Sequence, residues 1–139
     1  MVHALNKGKN GEREIKDRFI AIMEAVERNC GKEGVSAEVK RNTLQSDRGG
    51  CDLVGVPLLS VEIKRCEVLD INDWWKQAER QAKEHELPVL LYRQSRRPWK
   101  CVTYGGLYLF NDTHRCVVHC SADDFFNYYA KLYLQYLHR

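Results

Sequence analysis

The chain has 139 residues, enough for one domain with its own hydrophobic core. Hydrophobic residues make up 44% and charged residues 29%, with 22 basic and 19 acidic side chains, which is the composition of a globular protein and excludes a disordered or fibrous one. Because no apolar run approaches the roughly 20 residues of a membrane-spanning helix, and the first residues lack the apolar segment of a secretory signal, we expect an intracellular protein with no membrane partner.

The first half of the chain predicts one long helix followed by short strands. Apolar residues at the spacing of one helical face, Ile15 and Phe19 among them, predict a helix over residues 11–29. The segments after it are alternately β-prone and polar. We predict, in chain order, a strand at 35–39, a polar loop at 41–50, and a hairpin whose strands are 51–56 and 59–65.

The second half predicts two helices with strands between them. The first of these helices covers residues 70–86, with Asp70 or Asn72 as its N-cap. The last helix begins at Ser121, which can form a capping-box pair with Asp124. The strands are expected at 89–92 and 100–104, and a C-terminal hairpin at 107–110 and 115–119. The element order α-β-β-β-α-β-β, followed by this C-terminal hairpin and helix, predicts one mixed α/β domain over residues 1–139.

One acidic residue of the first helix lies on its buried side. At 100° per residue, Glu12 falls on the same stripe as Ile15 and Phe19, whereas Glu14 faces water. A carboxylate directed inward needs a cation or a metal ion as its partner. The alternative is that Glu12 lies at a frayed helix start, where it only complements the helix dipole.

Two acidic residues and a lysine are predicted to meet in the first hairpin. Side chains alternate along 59–65, so Glu62 and Lys64 project from the same face, and the turn at Pro57 brings Asp52 alongside. Paired carboxylates suit a hard cation such as Mg²⁺, and a lysine beside them can orient a water molecule and offset charge that develops on a phosphate. The alternative is an ordinary salt bridge on an exposed strand face.

The spacing of these residues resembles the motif of the PD-(D/E)xK nucleases. Asp52 precedes Glu62-x-Lys64 by 10 residues, and Cys51 stands where the motif has its Pro. A closer resemblance is to the archaeal-type Holliday junction resolvases, which phages also encode. It covers residues 7–104 in order and spacing, through the opening KGKNGERE (7–14), the loop at 46–54, the strand at 62–64, the helix at 77–79 and the strand at 89–91.

This resemblance implies a restriction-endonuclease-like α/β core, a mixed central sheet flanked by helices, within residues 7–104. Residues 105–139 have no recognised counterpart and are expected to form a C-terminal extension with a hairpin and an aromatic helix. The aromatic stripe of that helix either packs on its own domain or forms a dimer interface. Its members are Phe125, Tyr129, Leu132 and Tyr136.

The resemblance also implies an activity, the Mg²⁺-dependent hydrolysis of DNA phosphodiesters. Glu12, Asp52 and Glu62 would bind the divalent metal, with Mn²⁺ as a substitute for Mg²⁺, and Lys64 would position the attacking water. No small-molecule cofactor is expected. The partners it implies are branched DNA and a second copy of the chain, because such resolvases nick four-way junctions symmetrically as homodimers.

Two other functions stay open. The chain could be a PD-(D/E)xK repair or restriction-type nuclease that acts on linear or flapped DNA. It could also be a DNA-binding protein that has a nuclease fold but no activity, although the presence of all four motif residues argues against this. The opening segment at 7–14 favours the resolvase.

Basic side chains border each segment that carries a candidate acidic residue, as expected where phosphates approach. Those predicted to contact DNA are Lys7, Lys9, Arg13, Arg41, Arg48 and Arg65. Ser46, in the loop before the motif aspartate, and Gln77, in the second helix, are secondary candidates by the resemblance. A separate basic patch at 93–100 either holds a second duplex arm or is a solvated turn.

Overall fold

A computed structural model describes residues 4–43, 50–109 and 112–139. Two candidate residues, Ser46 and Arg48, lie outside these ranges, as does part of the turn of the C-terminal hairpin. The elements in chain order are α1 (Ala4–Cys30), a 3₁₀ turn (Ser36–Glu38), β1 (Lys40–Arg41), β2 (Leu53–Val54), β3 (Leu59–Arg65), α2 (Ile71–Gln81), β4 (Leu87–Arg93), β5 (Lys100–Leu109), β6 (Asp112–Ser121) and α3 (Ala122–Leu137).

The central sheet has four strands in the order β3-β4-β5-β6. Strands β3 and β4 are parallel and connected by α2, as parallel neighbours require, whereas the other pairs are antiparallel. Helices α1 and α3 pack against one face and α2 against the other. The prediction of a mixed α/β fold, with a mixed sheet flanked by helices, is confirmed.

Helix α1 begins at Ala4, earlier than the predicted start at residue 11, so residues 4–10 are helical as well. Gly11 lets the helix approach the sheet closely, because a Cβ there would lie 3.2 Å from the Cβ of Arg65 and 3.3 Å from the Trp99 ring. The predicted apolar stripe is correct, since Ile15 and Phe19 are fully buried.

Two strand predictions before the central sheet are wrong. Residues 36–38 form a 3₁₀ turn instead of a strand, because the Glu27 carboxylate accepts hydrogen bonds from the backbone N–H and the hydroxyl of Ser36. The predicted hairpin of 51–56 with 59–65 does not form as a strand pair. Strand β2 pairs with β1 in a separate antiparallel ladder that sets Arg41 opposite Leu53.

The remaining predicted helices and strands are of the correct type, but some of their boundaries differ from those in the structure. Helix α2 ends at Gln81 rather than at residue 86, and Asp70 occupies its N-cap position without a side-chain capping bond. The predicted strands at 100–104 and 107–110 are one strand, β5, which pairs with β6 along its whole length. All six cysteines are free thiols. None of the helices in the described ranges combines the length and apolar character that a bilayer span needs.

Helix α3 packs its aromatic stripe into the core. Its N-cap is the predicted one, with the Ser121 hydroxyl accepting a hydrogen bond from the Asp124 N–H at 3.0 Å. Phe125 and Tyr129 are buried, and both rings contact the ring of Phe19 in α1. Intrachain packing is thus the correct interpretation of these buried rings, and they offer no surface to a second copy.

Gly55, between β2 and β3, is expected to tolerate no side chain. Its φ is +85°, and a Cβ would run into the backbone carbonyl of Glu38. We expect Gly55→Ala to lower the free energy of unfolding by at least about 2 kcal/mol, because strain and a backbone clash combine. Gly8→Ala is the control: it lies in α1 with nothing within 4 Å of the new Cβ, and should leave stability equal or slightly higher. Urea denaturation of both variants measures the difference; equal stabilities would contradict it.

Candidate active site

Asp52 is fixed against β3 by backbone hydrogen bonds, although it belongs to no strand itself. Its N–H donates to the carbonyl of Val61 at 2.9 Å, and its Oδ2 accepts the N–H of Ile63 at 2.7 Å. The residue is only 5% exposed. The prediction that Asp52 lies beside the Glu-x-Lys strand is therefore correct, but side-chain capture of an edge N–H replaces the predicted hairpin ladder.

Glu62 lies in the middle of β3 and is 2% exposed. Burial raises the pKa of its carboxyl from the ordinary value of 4.5 to about 8, and the nearby Asp52 carboxylate adds to the increase. The Asp52 carboxyl is thus near enough to act on the Glu62 carboxyl electrostatically. No N–H or O–H donor of the described residues reaches Glu62 Oε2. Glu62 therefore presents a buried acceptor oxygen beside a second carboxyl group.

Lys64 follows on the same face of β3, as the alternation of side chains predicts. Its Nζ lies 3.3 Å from Oε1 of Glu62, and 26% of its side chain is exposed. Its charge lowers the pKa of Glu62 and of Glu12, so it acts on both carboxyls. The ammonium group therefore lies beside the buried acidic pair, on a side chain that is itself partly open to solvent.

Glu12 has the cationic partner that its place on the buried stripe requires. Its Oε2 accepts hydrogen bonds from Nε and from a terminal nitrogen of Arg41, both at 2.9 Å. Burial is the main cause that raises the pKa of Glu12; Arg41 opposes the increase and Asp52 adds to it. Arg41, predicted to contact DNA, is thus a partner of Glu12, and the pairing of β1 with β2 brings it there.

The acidic pair fits a hard divalent cation. Such ions take carboxylate oxygens, and Glu62 Oε2 is a buried acceptor that no donor satisfies. A cation between Asp52 and Glu62 would remove the repulsion that raises the pKa of Glu62. Within the described ranges no three acidic, His or Cys side chains stand close enough together to hold a metal, so Glu12 is near this pair but not converged on it.

The other predicted residues are distributed around α1 and the end of β3. Lys7 forms an ion pair with Glu67 at 2.6 Å, and Arg65 packs against Gly11. The side chains of Lys9 and Arg13 are exposed. Gln77 is half-buried in α2, on the helix that covers the face of the sheet where Glu62 lies.

Sequence reasoning missed two features of this site. The ion pair of Glu12 with Arg41 was foreseeable only as the need for some cation, because the partner comes from a distant two-residue strand. The contribution of Glu67 was not predicted: it accepts hydrogen bonds from Lys7 and from the backbone N–H of Ser95. Nothing in the local pattern of a single exposed glutamate indicates such a role.

A buried Asp beside a Glu-x-Lys strand, in a mixed sheet between helices, is the arrangement expected of a PD-(D/E)xK nuclease. Residues 4–121 match the family described as "Phage putative PDDEXK endonuclease", and the chain belongs to this family. This membership supports a nuclease, and with it DNA as substrate and a divalent metal as cofactor. No curated protein and no solved structure matches the chain.

The buried charge of Glu62 is expected to cost stability, so Glu62→Gln should be more stable than wild type in chelated buffer. The carboxyl is protonated in both states below pH 4.5; as the pH rises toward 8, the unfolded chain ionises first and the wild type alone loses stability. The difference in the free energy of unfolding between Glu62→Gln and the wild type should be near zero at pH 4.5 and about 1–3 kcal/mol at pH 7.5. Denaturation at the two pH values measures it, with Glu84→Gln as an exposed control. A difference that does not grow with pH would contradict the expectation.

Proposed function

We propose that the protein is a Mg²⁺-dependent, structure-selective DNA endonuclease that resolves four-way junctions by paired nicking. The observation that carries the proposal is the buried contact of Asp52 with Glu62, with the Lys64 ammonium 3.3 Å from Glu62 on the solvent side. Family membership supports the nuclease class. The resemblance of the segment at 7–14 to the resolvases supports the junction as substrate.

Asp52 and Glu62 would hold the divalent ion, and we assign Glu12 as the third acidic residue of the site. When bound, a divalent cation supplies a Lewis acid that polarises the scissile phosphate and stabilises its developing charge. Asp52 contributes a carboxylate whose direction is fixed by the Ile63 N–H. Glu12 lies within electrostatic reach of Asp52 and is steadied by Arg41.

Lys64 is proposed to position the attacking water. A lysine ammonium has three donors and no acceptor, so with Glu62 Oε1 occupying one donor it can hold a water and a phosphate oxygen with the others. Its positive charge also offsets the negative charge that develops on the phosphate oxygens. In-line attack would then leave a 5′-phosphate and a 3′-hydroxyl, as the resemblance implies.

Junction resolution requires two active sites, and we propose that a homodimer supplies them. The aromatic rings buried by α3 against α1 are not available for this contact. Among the described residues of the C-terminal part, the large apolar side chains that remain exposed are Val117 on β6, 45% exposed, and Tyr128 and Leu134 on α3, 51% and 40% exposed. Dimerisation is therefore proposed through this outer surface rather than through the buried stripe.

Cleavage of a fixed four-way junction, compared with a linear duplex and a flap of the same sequence, tests the proposal. With Mg²⁺ the wild type should nick the junction in two opposite strands and leave the duplex intact. Asp52→Asn should lower the rate at least about 100-fold, since it removes a proposed metal ligand. Asp17→Asn, an exposed acidic residue of α1, is the matched control. Preferred cleavage of duplex or flap would instead favour a repair or restriction-type nuclease.

The roles assigned to Glu12 and Lys64 can be separated by measuring metal binding and cleavage together. We expect Glu12→Gln to weaken Mg²⁺ or Mn²⁺ binding in a calorimetric titration and to slow cleavage. Lys64→Met should slow cleavage at least about 100-fold without weakening metal binding, because it removes a positive charge from beside the ion. Glu24→Gln, an exposed acidic residue further along α1, controls for the first. Metal affinity that is unchanged in Glu12→Gln would remove Glu12 from the ligand set.

A further inference from the structure

The basic turn between β4 and β5 forms the wall of a small cavity of about 200 Å³. The residues that line it include two exposed cationic side chains, Arg97 and Lys100, together with Gln94. No carboxylate is among the described residues that line it. Two positive charges around one concave space make a favourable place for an anion.

The side chain of Arg93 is directed away from this cavity. Side chains alternate along β4, so Arg93 projects from the face opposite to Tyr92 and Lys100. One of its terminal nitrogens lies 3.1 Å from a carboxylate oxygen of Glu14, and its guanidinium stands 5.7 Å from the centre of the Trp99 ring. An anion in the cavity would therefore meet the charges of Arg97 and Lys100.

The turn that carries these residues is held in place from outside the cavity. The backbone N–H of Ser95 donates to the Glu67 carboxylate at 3.0 Å, and Gln94 donates to the Glu67 carbonyl at 2.7 Å. Arg96 adopts a φ of +64°, a strained value that persists only where neighbouring contacts fix the backbone. The cavity is therefore preformed, which lowers the entropic cost of binding.

The cavity lies at the same register position of the sheet as Lys64, the proposed catalytic lysine. Lys64 of β3 is paired with Tyr92 of β4, and Tyr92 with Lys100 of β5, so the three side chains lie in one row on one face. Two strand spacings separate the ends of this row, about 10 Å. With a rise of about 3.4 Å per nucleotide along one strand of B-DNA, this is a separation of a few nucleotides.

We propose that this cavity binds one internal phosphate of the substrate's DNA backbone, a few nucleotides from the phosphate that Lys64 addresses. The proposal rests on the proposed nuclease function and adds a second contact point to it. The volume is below the range of about 300–1,000 Å³ that encloses drug-sized ligands, so the cavity admits a phosphate group with water but no whole nucleotide. The contact fixes the strand relative to Lys64 without selecting a base sequence.

Inorganic phosphate is the first probe. Its binding is monitored by NMR in chelated buffer, and chloride at the same ionic strength is the reference. We expect saturable shifts of the backbone amides at 94–97 and of Lys100, which belong to residues at the cavity. These shifts should be lost in the double variant Arg97→Gln/Lys100→Gln. Shifts that are spread over the surface, equal in chloride, or kept in the variant would overturn the assignment.

DNA binding measured against salt concentration, without divalent ions, is the second test. If the cavity holds one phosphate, Arg97→Gln/Lys100→Gln should reduce the slope of log affinity against log salt by about 0.9 on duplex arms. The control Arg28→Gln/Lys131→Gln removes the same charge from exposed positions; Arg28 lies 17 residues beyond Gly11 in α1, about 25 Å along the helix. A loss of slope in the control equal to that in the cavity variant would reduce the effect to net charge and reject the proposal.

Two further comparisons are informative. The first distinguishes an internal phosphate from a terminal one, and the second distinguishes failure of the nuclease assignment from failure of the cavity assignment. Equal affinity for oligonucleotides with a 5′-phosphate and a 5′-hydroxyl supports an internal phosphate; a preference for the 5′-phosphate that Arg97→Gln/Lys100→Gln abolishes would reject it in favour of a strand end. If the wild type binds phosphate here but cleaves no DNA, the nuclease assignment fails and the cavity stands. If it cleaves DNA and the slope is unchanged in the double variant, the cavity assignment alone fails.

Discussion

The buried approach of Asp52 to Glu62 is the constraint on which the rest of the site depends. Two carboxyl groups with little solvent can coexist only where a proton, a backbone donor or a cation offsets their repulsion. The Ile63 N–H supplies one donor and Lys64 one cation. Helix α2 covers the same face of the sheet and keeps it dry, so the free energy spent on burying these charges comes from the hydrophobic packing around them. A site for a divalent cation is the use that best accounts for this cost.

Arg41 links Glu12, on α1, to the segment that carries Asp52. It reaches Glu12 from a strand of only two residues, and that strand is positioned by its pairing with Leu53, the residue after Asp52. The pairing of β1 with β2 therefore helps to position two carboxylates, Glu12 through Arg41 and Asp52 through its neighbour Leu53. Arg41, predicted to contact DNA, also pairs with Glu12 and favours its charged form. A guanidinium suits this role because it forms more directional contacts than an ammonium.

The sequence predicted the parts of this arrangement that depend on local periodicity. Alternation along β3 placed Glu62 and Lys64 on one face, and the helical stripe of α1 placed Glu12 inward with a need for a partner. It could not show which cation that partner is, because Arg41 lies 29 residues away and β1 has no periodicity of its own. The hairpin expected for Asp52 failed for a related reason: a turn at Pro57 brings the segments together, but it does not decide whether backbone or side chain makes the bonds.

Assembly of the site is tied to completion of the fold by the contact between α1 and α3. Glu12 and Asp52 come from the first half of the chain, yet α1 is held on the sheet by rings of α3, where Phe19 and Phe126 lie 4.8 Å apart between ring centres. A chain still being synthesised lacks α3 and so lacks the surface that fixes α1. The entropic cost of ordering α1 is therefore not offset until α3 has emerged. An enzyme that cuts DNA would then bring its acidic residues together only after α3 has been made and has packed, which delays hydrolytic activity until that stage.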